Sequence, residues 1–262
     1  MRPASDNAAH DHLIMDQFTK QAIPFASIPG HSADEATRLL IEMAQIGKED
    51  AALDVACGPG LLVCALAPHA KQVTGIDLVP AMLDLARKAQ QEKKLTNVSW
   101  DMGNVLSLPY EKGSFSVVTS RYTFHHFLDP KAVLKEMVRV ASPKGRVAVI
   151  DVFALSPAQS TAYDHFEKLR DPSHVHTLTL QELQDVAADV GLVNLAVKFY
   201  KVDIELEQQL KASFPKDKGA LETIRHAAVK DVGKNRLGWG LYRKGSDIYT
   251  SLPIAVIVGE KL

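Results

Sequence analysis

The sequence predicts an α/β fold: a doubly wound, seven-stranded, mostly parallel sheet with helices on both faces. Three observations carry this expectation. Apolar β-branched runs alternate with helix-period segments along the chain. The runs are almost continuously apolar, as suits strands covered on both sides. The 262 residues, 46% of them apolar, are enough for one large domain with a substantial core.

The elements follow in order. Ser32-Ala33-Asp34-Glu35 reads as a capping box opening a helix, with Gly47 as its stop. Strands are expected at Ala52–Ala56, Gln72–Asp77, around Val98–Trp100, at Ser116–Ser120 and at Arg146–Ile150. Pro80 and Pro130 suit the first turn of the helices that follow the second and fourth strands. Thr179-Leu180-Gln181-Glu182 is a second capping box, with Gly191 ending that helix. Between Ser156 and Thr177 the chain is polar and rich in aromatics and histidine, an insert over the C-terminal edge of the sheet. A strand near Leu195–Leu206, a basic helical segment and a last strand at Ile254–Val258 complete the chain. The expected divisions are a helical cap at 1–48, a cofactor-binding core at 49–155, a lid insert at 156–178, and 179–262 as the remainder of the same domain.

Charge and composition narrow the classes. A net charge of −1 gives no general field for nucleic acid or anionic membrane. The basic excess from Lys211 to Lys244 reads as a solvated helical face before an acidic-partner site. Cys57 and Cys64 are too close and too few for a disulfide framework or a zinc site, and no metal is expected. The first residues lack the apolar core of a signal peptide, and no apolar run reaches the roughly 20 residues that span a bilayer. The expectation is a cytoplasmic protein with no membrane span.

The chemistry clusters where strands end. The first strand runs into Asp54-Val55-Ala56-Cys57-Gly58-Pro59-Gly60, and glycines there allow a sharp turn and close approach to a ligand. Asp77 ends the second strand, placed to accept hydrogen bonds from both hydroxyls of a ribose. A dinucleotide-binding fingerprint would want a third glycine where this chain has Val63. Asp54 would also repel a pyrophosphate, whereas it suits a cationic amino-acid tail.

Residues Leu53–Gly60 resemble motif I of class I S-adenosylmethionine-dependent methyltransferases. The likeness continues in order through Gly75-Ile76-Asp77, Gly103–Tyr110, Ser114–Val118, Phe124-His125-His126-Phe127, Glu136–Val140 and Lys144-Gly145-Arg146. It is nearest to the branch with the ubiquinone and menaquinone C-methyltransferases and many small-molecule methyltransferases, and it covers about Phe18 to Val152. The resemblance implies a Rossmann-like fold and S-adenosyl-L-methionine as cofactor. It implies that Ala56, Cys57, Gly58 and Gly60 hold the methionine portion with Asp54 nearby, and that Asp77 binds the ribose. Leu78 and Met82 would flank the adenine, Gly103, Asn104 and Val105 would meet its edge, the Arg121 backbone would approach the methionine end, and Phe18 would close the pocket. Many relatives carry Asp where this chain has Asn104, and Arg121 stands where smaller residues are common.

The remaining candidates concern the acceptor. In an extended segment, only one of His125 and His126 would point into the cleft. His126 is the candidate general base, His125 a substrate contact, and a purely structural role stays open for both. In the insert, Arg170 is the candidate for gripping an anionic or carbonyl oxygen and His174 a second contact, against an ordinary surface excursion. Asp151 would steer substrate or orient Arg170, or simply cap a turn; His31 would touch substrate or cap a helix. Trp239 and Tyr242 read as packing residues. The expected reaction is methyl transfer to a small-molecule acceptor by in-line displacement, with a homodimer allowed. Same-fold chemistry other than methylation, an unusual halogenated or thiol acceptor, and a non-catalytic binder are the alternatives.

Overall fold

The structure is a computed structural model that describes residues 4–26 and 34–262. Five strands, β1 (Ala51–Val55), β2 (Gln72–Asp77), β3 (Val98–Met102), β4 (Phe115–Arg121) and β5 (Ala141–Val152), run parallel. They are joined by β6 (Leu192–Glu205), β7 (Tyr242–Lys244) and β8 (Asp247–Lys261). The order is β3-β2-β1-β4-β5-β8-β6, with β8 antiparallel to β5 and β6 and the short β7 paired to β8. Eight strands thus stand where seven are expected. The extra strand is three residues long, too short to show a period-two pattern, and folds back through Gly245 at φ 64°.

Helices cover both faces. On one side lie α2 (Asp34–Met43), α3 (Leu61–Leu66) and α4 (Pro80–Glu92), whose Leu39, Leu40, Leu62, Val63, Leu66 and Leu83 join a buried cluster. On the other, α5 (Pro130–Val140) and the later helix α7 (Leu180–Asp189) bury Leu134, Met137 and Leu183. Alternation along β1 divides its side chains between the layers: Ala52 faces the first, Leu53 and Val55 the second. Val63, where a dinucleotide fold would place glycine, is fully buried.

Local signals hold with some shifts. The Thr179–Glu182 capping box forms reciprocally, and Asp129 caps α5 by accepting from the Ala132 N–H. The helix expected to stop at Gly47 ends at Met43, with Gln45 taking the left-handed turn at φ 48°. His31 and the start of its capping box lie outside the described residues. The segment expected as a lid insert over the sheet edge is mostly helix α6 (Pro157–Arg170), capped by Ser156. Its Tyr163 and Phe166 meet buried Trp239 edge-on, with centroids 6.2 and 6.0 Å away. Helices α8 (Leu206–Lys211) and α9 (Ala220–Asp231) complete that side, and α6 packs on α9.

The chain moves outward from β1 to β2 and β3, then returns to place β4 against β1. Strand order therefore reverses between β1 and β4, opening a crevice beyond their carboxyl ends. The N-terminal helix α1 (Ala4–Ala26) lies over it, packing Ile14, Phe18 and Ala22 against Val79 and Met82.

Candidate active site

The turn after β1 puts Ala56, Gly58 and Gly60 in left-handed conformations, at φ 55°, 53° and 73°. The Gly58 N–H donates to Asp77 Oδ2 at 2.7 Å, and the Val79 N–H donates to Oδ1 at 2.9 Å. The acid ending β2 thus ties down the turn ending β1. The two turn glycines serve different ends. A Cβ on Gly58 would meet nothing within 4 Å, whereas one on Gly60 would fall 2.4 Å from the Trp100 ring and 2.9 Å from Ala86. Gly103 is similarly crowded, 2.8 Å from Ile76. Gly60 and Gly103, both expected at the cofactor, are crowded by these side chains and are not among the residues lining the cavity described next.

One cavity, about 1150 Å³ with its open mouth included, is lined by Phe18, Asp54, Ala56, Cys57, Gly58, Asp77, Leu78, Met82, Asn104, Val105 and Arg121. These are the expected cofactor residues apart from the two glycines. Helix α1 adds His10, Asp11 and Ile14, which sequence reasoning missed. Asp54 is 2% exposed, and burial pushes its carboxyl up to about 7 against the Thr119 hydroxyl at 2.8 Å and the Arg121 charge. Burial also raises Asp77, opposed by its backbone N–H donors. Arg121 sits over the Tyr122 ring at 5.2 Å and lines this cavity, and it is not among the residues lining the second cavity described below. The open Gly58 cradle, the buried acids and the apolar walls at Leu78, Met82 and Val105 fit an aminoacyl purine nucleoside such as S-adenosylmethionine.

A second cavity, about 750 Å³ with its open mouth included, adjoins the first and shares Phe18, Tyr122 and His126 with it. Its walls are largely apolar, from Val152, Val202, Ile204, Leu252 and Ile254. Arg170 lines it as expected, but is already ion-paired with Glu167, whose side chain is 4% exposed. Glu167 Oε1, Arg170 Nε and Gln209 Oε1 are buried with no hydrogen-bond partner. Tyr122, at φ 58° on the end of β4, bonds the Tyr200 hydroxyl at 2.6 Å. A positive φ on a bulky residue marks strain held at a site.

His125 and His126 lie in a 3-10 turn, not an extended segment, so both reach the second cavity. His125 Nδ1 meets Asp151 Oδ1 at 2.7 Å. Burial lowers His125, but the Asp151 charge and hydrogen bond outweigh it and hold the imidazole above its ordinary value. Burial, then the nearby His125, drive His126 well below it. His126 Nδ1 lies 3.1 Å from the Ser173 carbonyl, which only accepts, so Nδ1 carries the proton and Nε2 the lone pair. Asp171 holds Ser173 from behind and takes a hydrogen bond from Gln21 of α1 at 2.9 Å. The Val175 and His176 N–H groups both donate to the His125 carbonyl, fastening the insert to this turn.

Two expected substrate contacts stand behind the wall. Asp151 is 1% exposed and spends its oxygens on His125 and the Val152 N–H. His174 pairs with Asp164 at 2.7 Å, and neither His174 nor Asp151 lines the second cavity.

Residues 53–149 match the family model described as a methyltransferase domain. The chain is 28% identical over 248 residues to an uncharacterized methyltransferase, YcgJ, of Bacillus subtilis, covering 93% of this chain and 97% of that protein. The YcgJ crystal structure superposes with a TM-score of 0.79 at 26% identity, over 87% of this chain and 99% of that one. A demethylmenaquinone methyltransferase of Deinococcus radiodurans is 42% identical over 101 residues, which is 38% of this chain and 42% of that protein. The fold is shared by a geranyl diphosphate C-methyltransferase of Streptomyces coelicolor solved with S-adenosyl-L-homocysteine, at a TM-score of 0.59 and 20% identity over 87% and 78% of the chains.

Proposed function

We propose that this S-adenosylmethionine-dependent methyltransferase, with its Rossmann-like methyltransferase fold, methylates a small, mainly apolar, uncharged acceptor held in the second cavity. The observation that carries this is the shared wall: Phe18, Tyr122 and His126 line both cavities. S-adenosylmethionine supplies a methyl group on sulfonium, already activated toward displacement. The chain's task is alignment of donor and acceptor, with water kept out.

Asp77 accepts the Gly58 and Val79 N–H groups with the Leu78 N–H also beside it, and its remaining lone-pair capacity would serve the ribose hydroxyls. Asp54 and Arg121 would receive the ammonium and carboxylate of the methionine end, Leu78, Met82 and Val105 the base. In the second cavity the Glu167–Arg170 pair cancels its own charge, which disfavours an anionic acceptor. Where the acceptor carries a labile proton, His126 Nε2 is the lone pair at the shared wall to take it. Helix α1 serves as a cap over the cofactor, and α6 with its loop as the acceptor wall.

The test is incubation with methyl-labelled S-adenosylmethionine and a panel of neutral and anionic small molecules. S-adenosylhomocysteine released in step with a methylated neutral product supports the reading. Binding without turnover would make the chain a non-catalytic binder, and exclusive methylation of anions would remove the charge argument. His126→Ala should slow a proton-losing acceptor by about 100-fold or more.

A further inference from the structure

Helix α1 crosses the first cavity and sets Asp11 on its wall beside Asn104. The Asn104 amide donates from Nδ2 to Asp11 Oδ2 at 2.7 Å, while its Oδ1 accepts the Leu106 N–H at 2.9 Å. Both ends of that amide are committed within the protein. A carboxylate has about four lone-pair sites, and among the described residues only Asn104 hydrogen-bonds to Asp11. Burial raises the Asp11 carboxyl, against the Asn104 hydrogen bond and the nearby His10 and His12. An acid at 104 would press two carboxylates together; the amide instead draws one in.

We propose that Asp11, held by Asn104, is the acceptor for the exocyclic amino group of the cofactor's purine. This rests on the reading that the base lies among Leu78, Met82 and Val105, next to this pair on the same wall. The purine is then recognised by a residue over 90 positions away from the loop that positions it, on the helix that covers the cavity.

Calorimetric titration tests this with S-adenosylhomocysteine and its deaminated analogue, S-inosylhomocysteine, which lacks the amino group. The native chain should prefer the adenine form by about tenfold or more, the value of a hydrogen bond to a charged group. Asp11→Ala and the near-isosteric Asp11→Asn should abolish or sharply reduce that preference while retaining the native thermal transition. Asn104→Asp, which sets a second carboxylate against Asp11, should by itself weaken binding. An Asp11→Ala protein that keeps the full preference overturns the proposal. If Asp77→Ala weakens binding and Asp11→Ala does not, only the role of Asp11 fails. If neither weakens it, the cofactor placement itself fails.

Discussion

His125 Nδ1 and Asp151 Oδ1 lie 2.7 Å apart, and this contact joins the end of β5 to the turn after β4. Burial lowers the imidazole, and the carboxylate more than restores it. A histidine whose folded value is raised contributes stability that is complete below its unfolded value of about 6.5 and is lost as pH rises through the folded one. Asp151→Asn should therefore lower the His125 titration midpoint, read by NMR. Its stability loss in urea should be greater at about pH 5.5 than at about pH 8. An equal loss at both would show that the pair's charge does not matter.

Asp54 gives the opposite dependence in binding. With its carboxyl raised to about 7, it holds a proton in mildly acidic solution. A cationic ammonium arriving beside it displaces that proton. Affinity for S-adenosylhomocysteine should fall by up to about tenfold per pH unit below 7, with proton release visible as buffer-dependent heat. Asp54→Asn should bind more weakly at high pH and lose this component of the pH dependence. A pH-independent native affinity would detach Asp54 from the ammonium.

The two turn glycines separate binding from folding. Gly60→Ala drives a methyl group into Trp100 at a positive φ, and should cost about 2–4 kcal/mol in chemical denaturation. Gly58→Ala meets open space and should cost only about 1 kcal/mol of backbone strain while reducing cofactor affinity sharply. Similar stability losses for both would contradict the Trp100 contact.

Arg170 cannot be tested by simple deletion. Arg170→Ala leaves the Glu167 carboxylate buried without its partner, which should cost about 3–5 kcal/mol whatever happens to the acceptor. The paired change Arg170→Met with Glu167→Leu should stay folded and lower acceptor kcat/KM, with cofactor affinity held within about twofold. Native acceptor kinetics in that double variant would move the acceptor out of the second cavity.

How much was legible depended on how local the cause was. The left-handed turn and Asp77 could be read because glycine chemistry and a strand-end acid act within about one supersecondary unit. Gly58 and Gly60 could not be told apart, since the difference lies in Trp100 on β3. His125 was placed near the acceptor, but its alignment with His126 depended on a 3-10 turn that no periodicity reports. Arg170 looked free because Glu167, three residues before it, gave no sign of being buried with it. Asp11 was invisible: its partner is 93 residues away, and only the lie of α1 brings them together.

Helix α1 touches both chambers, through Asp11 and Ile14 in the first, Gln21 in the second and Phe18 in each. With S-adenosylmethionine in the first chamber and the proposed acceptor in the second, one segment would lie over both molecules. Either occupant would then hold that segment down over the other and link their residence times. Saturating S-adenosylhomocysteine should delay escape of the acceptor, and reciprocity requires each ligand to strengthen the other by the same equilibrium factor. Turnover in such an arrangement is paced by the lifting of a helix as readily as by the transfer itself.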